Sequence, residues 1–174
     1  ELARYFRRMR DGWLDLDSRP NKAGGGFCEW FPVAGMPYIF TNAAGVHDDL
    51  MTMLHEGGHA FHALESAGQP LFWNQNASIE FCEVASTAME LLAAPYFERA
   101  NGGFYTEEEA QRARADELKG KVLFLPYMAV VDAFQHYVYT EAPADVTATQ
   151  LEPHHGMSAS TSRVQSRWVT WHGS

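Results

Sequence analysis

Only two cysteines, Cys28 and Cys82, occur among 174 residues, too few for a scaffold stapled by disulfides. Their scarcity fits a reducing compartment, so the chain is expected to be cytoplasmic and both thiols to pack as small buried hydrophobes. No run of about 18 apolar residues exists, which excludes a membrane-spanning helix, and no charged-then-apolar leader opens the sequence. Basic residues are also in short supply: 13 Lys and Arg stand against 22 Asp and Glu, a formal charge of −9. A surface of that sign repels phosphate backbones and anionic lipid, so neither nucleic acid nor a membrane is expected as a partner. Part of the acidity can serve a cation. What the sequence does hold is apolar material, 46% of residues, enough to bury a core in one domain's length.

The first residue is Glu1, and Leu2, Tyr5, Phe6 and Met9 already have the spacing of one helical face, so a fragment of a longer protein is expected. Turn formers fill Asp17 to Gly26, with Pro20, Asn21 and three consecutive glycines. Two β-like runs follow, Phe27 to Val33 and Met36 to Thr41, and the Pro32 and Ala34-Gly35 break between them fits a hairpin. Pro37 favours an edge position for the second run, where a missing N–H costs least, and an edge strand is a place for a peptide to dock. A helix is predicted from Asp48, as its N-cap, to about Ser66, with Gly68 and Pro70 as the stop. A second runs from about Ser78 to Ala100. A third begins at Thr106, which has capping-box spacing to Glu109, and continues to about Thr140, kinked or split by Gly120 and Pro126. The whole reads as mainly α with one small β-hairpin or sheet, followed from about Ala142 by an irregular tail.

Residues 55 to 59 read His-Glu-Gly-Gly-His. On a helix, His55 and His59 are one turn apart on the same face, so two imidazoles can meet one ion. Zinc takes tetrahedral N and O donors at about 2 Å, a geometry that helix pitch supplies without strain. Glu56 sits beside the coordination position left open, where it can take a proton from water. Gly57 and Gly58 inside a helix cost about 1 kcal/mol each relative to Ala, a penalty that makes sense where something must approach the backbone closely.

A catalytic zinc needs a third protein ligand, and three residues compete. His62 shares the face of His55 but lies a full turn beyond His59. Glu65 has the metzincin spacing, yet that pattern needs a Gly where His62 stands, so the helix simply continues. Glu83 lies on the next helix, where an antiparallel neighbour can bring a carboxylate to the two imidazoles. Glu80, Glu83, Thr87 and Glu90 fall on one face of that helix, opposite Ile79, Cys82, Met89 and Ala93. Taken alone, a solvated acidic face is the slightly better explanation, and a His pair in need of a carboxylate turns the balance toward the site.

Several runs together resemble the M3 family of zinc metallopeptidases, with the oligoendopeptidase F type as the nearest branch. They are Lys22 through Gly26, Pro37 through Ala43, His55-Glu56-Gly57-Gly58-His59-Ala60-Phe61-His62, Glu83-Val84-Ala85-Ser86-Thr87 and Val131 through His136. The resemblance covers roughly residues 13 to 141. It implies a helical zincin-type catalytic core, one Zn2+ per chain and endopeptidase action on short peptides, with residues 1–141 a partial catalytic domain and 142–174 a tail. It also implies His55, His59 and Glu83 as zinc ligands, Glu56 as the catalytic glutamate, Glu90 as a supporting acid, and Pro37 to Asn42 as the strand that pairs with substrate. Family members are several times longer, and their later helix, with the His and Tyr residues that grip the substrate carbonyl, has no match here.

Tyr127, His136, Tyr137 and Tyr139 are the available donors for a developing oxyanion, although an aromatic stripe at helical spacing is more often core. Two rival readings remain. Glu56-Gly57-Gly58-His59 is also a Glu-x-x-His unit of the kind found in di-iron bundles, but the only second unit, Glu152 to His155, contains Pro153. The other is a non-catalytic fragment that binds zinc and peptides without turning them over.

Overall fold

Local sequence signals account for most elements of the chain, whose computed structural model describes residues 2–147. Helix α1 (Leu2–Met9) turns Tyr5 and Met9 inward while Phe6 stays on the rim. Leu14-Asp15-Leu16-Asp17 alternates apolar with acidic residues and forms strand β1 (Leu14–Asp17), which the turn-rich reading of this region does not include. Strands β2 (Gly26–Phe31) and β3 (Met36–Ala43) make the expected hairpin, paired antiparallel from Gly26 with Thr41 to Phe31 with Met36.

The expected edge position of Pro37 is not found. The strand order is β1-β3-β2, with β1 parallel to β3, so the strand carrying Pro37 is central. The Ile39 amide donates to the Trp13 carbonyl at 3.0 Å, on the β1 side. Alternate residues face alternate sides, so the Pro37 nitrogen points the same way. It lies two residues before that first bond, where the ladder asks for no donor. The open edges of this sheet, among the described residues, belong to β1 and β2.

Helix α2 (His47–Ser66) begins ahead of the predicted Asp48 cap. Its N-cap residue, Val46, has no oxygen to offer, and Asp49 reaches back instead. Asp49 Oδ2 accepts the N–H groups of Ala44, Gly45 and Val46 at 2.9, 2.6 and 2.8 Å. A carboxylate there also meets the positive end of the helix dipole. Thr52, Glu56, Ala60 and Leu64, each one turn apart, form a buried stripe. Ala60 and Leu64 join Tyr5, Met9, Met36 and Ile39 in the core. A Cβ placed on Gly26 would meet Thr52 Cγ2 at 2.7 Å, so β2 passes directly over the first part of this stripe.

Helix α3 (Ile79–Ala93) stops short of the predicted Ala100, because Pro95 cannot continue it and the chain tightens into 3-10 turns at Ala94–Tyr96 and Arg99–Asn101. Helix α4 (Glu107–Thr140) opens on the expected capping box. The Thr106 N–H donates to Glu109 Oε2 at 2.8 Å, and the Glu109 N–H to Thr106 Oγ1 at 3.3 Å. It runs through Gly120 and Pro126 as one helix, so the expected split does not occur. Four α-helices and one three-stranded sheet among the described residues make the mainly α fold expected. The chain divides into two units, Glu1–Ala110 and Gln111–Ser174, at a point inside α4. No described helix is long and apolar enough to cross a membrane. Of the expected irregular tail, residues 148–174 lie outside the described residues.

Candidate metal centre

His55 and His59 project from α2 beside the Thr52 to Leu64 stripe, their rings nearly perpendicular with centroids 4.9 Å apart. Glu83, in the second turn of α3, reaches both. Its Oε2 lies 3.3 Å from His55 Nε2 and its Oε1 lies 3.6 Å from His59 Nε2. One ligand atom from each of the three side chains lies within 4.8 Å of the others, the one such group among the described residues. Donors held about 2.0–2.1 Å from a tetrahedral ion are roughly 3.3 Å apart, which the two imidazole–carboxylate distances approach, so the three side chains could hold one small cation.

The helices can approach this closely because of Gly58. A Cβ there would lie 2.6 Å from Ser86 Cα, 2.9 Å from the Ala85 carbonyl oxygen and 3.2 Å from Met89 Cβ. The close approach expected of the glycine pair is therefore made at Gly58. A Cβ on Gly57 would meet nothing within 4 Å. Met89, expected on the far face of α3, is accordingly on the α2 side.

The acidic face of α3 is solvated at one end and buried at the other: Glu80 and Glu83 are exposed, whereas Glu90 is covered. Glu90 is 6% exposed and its Oε1 lies 2.6 Å from His55 Nδ1. With Nδ1 engaged, Nε2 is the nitrogen left for Glu83 and an ion. Burial opposes the charged form of His55, but the Glu90 hydrogen bond and the charges of Glu90, Glu56 and Glu83 outweigh it and raise the pKa. In His59 burial prevails and lowers it. Glu56 is 4% exposed, makes no hydrogen bond or ion pair among the described residues, and has its pKa raised chiefly by burial. It belongs to the stripe that faces the sheet, where Cys28 of β2 feels its charge. The Cys28 thiol is pushed up to about 12 by burial, then by Glu56 and Glu29.

His62 and Glu65, the competing third ligands, are outside the group of three, and Glu65 is exposed. Both cysteines are free thiols and only partly buried, a correction to the expected full burial. Tyr127, His136, Tyr137 and Tyr139 all belong to the second unit. Glu152 to His155, which a di-iron site would need, lies outside the described residues. One residue the sequence reading missed is Ser86, fully buried beneath Glu83 with its Oγ 3.3 Å from Glu83 Oε2. Its position three residues after Glu83 was the available signal, since i and i+3 are neighbours on a helix.

The model of peptidase family M3 matches residues 5–169 of this chain. The chain belongs to peptidase family M3. It is similar to the oligopeptidase PepF of Bacillus subtilis, 27% identical over 139 residues that cover 77% of this chain and 19% of that protein. An oligoendopeptidase F homolog of Borreliella burgdorferi is 32% identical over 98 residues, 53% of this chain and 16% of that one. Among solved structures, a Bacillus anthracis protein described as an oligoendopeptidase F superposes with a TM-score of 0.78 at 30% identity, over 96% of this chain and 30% of its own. PZ peptidase A, solved with an inhibitor, gives a TM-score of 0.69 at 33% identity, over 78% of this chain and 23% of its own. The chain thus spans less than a third of the length of each of these proteins.

Proposed function

We propose that this chain is the metal-binding segment of a zinc-dependent oligopeptidase, with His55, His59 and Glu83 as the ligands and Glu56 as the general base that cleaves peptide bonds in short peptides. The observation that carries the reading is the convergence of two imidazole Nε2 atoms on one carboxylate, at 3.3 and 3.6 Å, beside a buried carboxyl that has no hydrogen bond or ion pair among the described residues. Bound zinc supplies Lewis acidity, which polarises a carbonyl and makes water a stronger acid. Glu56 then takes the proton of the attacking water and later delivers it to the leaving amine, a role that its raised pKa suits. Glu90 holds His55 in the orientation that offers Nε2. Water adds across the amide, and a carboxylate and an amine leave.

A peptide needs a surface beside these groups. Strand β3 has β2 along its length and β1 beside Ile39 to Ala43, so over that part it cannot pair with substrate as the resemblance of Pro37 to Asn42 implied. The open edge nearest Glu56 is that of β2, where the backbone groups of Gly26, Cys28 and Trp30 point away from β3 by the same alternation that orients Ile39. On the α3 side, Glu80, Glu83, Val84, Thr87, Ala88 and Leu91 form an open, mainly apolar face of that helix. The free thiols agree with a cytoplasmic setting.

The test is a quenched-fluorescence peptide incubated with the chain. Cleavage that a chelator abolishes, zinc restores and Glu56→Gln removes supports the proposal. Stoichiometric zinc without cleavage leaves the non-catalytic reading for this chain, and a chain that takes up no zinc refutes the metal centre.

A further inference from the structure

We propose that Ser86 is a positioning residue that holds the Glu83 carboxylate toward the imidazole pair, an inference that rests on the metal reading above. Ser86 is 0% exposed and lies where α3 crosses Gly58 of α2. Its Oγ is 2.9 Å from the Glu83 carbonyl oxygen and 3.3 Å from Glu83 Oε2. A hydroxyl has one proton to donate, so these two acceptors compete for it. The same Oε2 faces His55 Nε2 at 3.3 Å.

Glu83 itself is poorly held. Its side chain is 50% exposed, and among the described residues its carboxylate meets only the two imidazoles and this hydroxyl. A long side chain at a half-open position has several rotamers to choose from, and each one pointing into solvent withdraws a ligand from the site. The buried hydroxyl is the donor fixed on the protein side, and it favours the rotamer in which Oε2 lies against His55. Such hydrogen bonds to a ligating carboxylate tune both its direction and its affinity for metal. The competing explanation is structural: a buried serine bonds back to the carbonyl one turn earlier and leaves the carboxylate alone.

Zinc affinity, measured by competition with a chromophoric chelator on the 174-residue chain, separates the two. The variants are Ser86→Ala, Glu83→Ala and the double variant, each with a melting curve of its zinc-free form. Alanine removes only the oxygen and keeps the Cα that packs on Gly58. Ser86→Ala is expected to weaken zinc about tenfold, the low end of the range for partners of a ligand, and to add nothing once Glu83 is alanine. Undiminished affinity in Ser86→Ala overturns the inference, even when the zinc-free form melts lower, since that result assigns the hydroxyl to helix packing. So does a loss of equal size in the Glu83→Ala background. Absence of zinc from the unsubstituted chain instead refutes the metal centre itself, and the inference falls with it.

Discussion

Replacing Gly58 with alanine puts one methyl group into the closest contact between α2 and α3. The new carbon would sit 2.6 Å from Ser86 Cα, whereas carbon atoms pack at about 3.5–4.0 Å. Both neighbours at the clash, Ser86 Cα and the Ala85 carbonyl, are backbone atoms that no rotamer change can move. The helices must therefore part by about 1 Å to reach ordinary contact. Overpacking of this kind costs roughly 1–3 kcal/mol, and the better helix propensity of alanine returns about 1 kcal/mol, so the net loss of stability is modest, about 0–2 kcal/mol. The effect on the site is larger. Glu83 reaches the imidazoles at 3.3 and 3.6 Å, and functional geometry tolerates only about 0.5 Å of displacement. Zinc affinity is expected to fall about 100-fold, the upper end for a disturbed ligand set. Gly57→Ala is the control, because its Cβ meets nothing within 4 Å. It is expected to raise stability by about 1 kcal/mol and leave zinc affinity unchanged. Chelator competition and thermal melting on both variants decide the matter: equal zinc affinity in Gly58→Ala, or equal damage in Gly57→Ala, refutes the reasoning.

Glu83→Ala is expected to lose stoichiometric zinc on dialysis, since two imidazoles remain where three ligands are needed; elemental analysis that still finds one zinc per chain removes Glu83 from the site. Glu56→Gln keeps the fold and the metal but lowers the rate of peptide cleavage by about 10²–10⁴, and a cleavage rate close to that of the unsubstituted chain rules it out as the base. The Cys28 thiol has an ordinary pKa of 9.0 and is pushed up to about 12 in the fold, so the unfolded chain gives up this proton first. Its contribution to stability is fully present below pH 9 and is lost as the pH climbs toward 12. Urea unfolding on either side of pH 9 is expected to show a smaller alkaline loss in Cys28→Ala than in the unsubstituted chain, and identical pH dependence in the two contradicts this account.

The parts of the structure legible in the sequence are those governed by neighbours along the chain. His55 and His59 share a face because of helix pitch, Thr106 and Glu109 cap each other across three residues, and the hairpin follows from its turn. Glu83 was reachable only by asking what a His pair lacks, because nothing local links residue 83 to residue 59. The errors came where a distant element changes the meaning of a local signal. Pro37 marks a missing donor, and that suggested an edge; β1 supplies a partner that starts two residues too late to need the donor. β1 itself, four residues long, offers only one Leu-Asp alternation as its signature. The acidic face of α3 was ambiguous for the same reason, since Glu90 counts as solvated or buried according to what packs on it. Asp49 and not Asp48 caps the helix, and a capping carboxylate reaching back from inside the first turn looks, in sequence, like any acidic residue there.

His55 and Glu56 are adjacent in the chain yet look in different directions, since successive helical residues are turned by about 100°. One looks to α3, the other to the sheet. On the proposed mechanism a single rod therefore divides its labour by azimuth: cation capture would answer to whatever leans on one flank, and proton traffic to whatever leans on the other. A slip of α3 would empty the proposed centre and change the Glu56 acidity only through the Glu83 charge, the least of its causes, whereas a shift of β2 would alter the burial that dominates that acidity. Under the proposed mechanism, substitutions beneath β2 would therefore shift the working pH of this chain without rebuilding the ligand set.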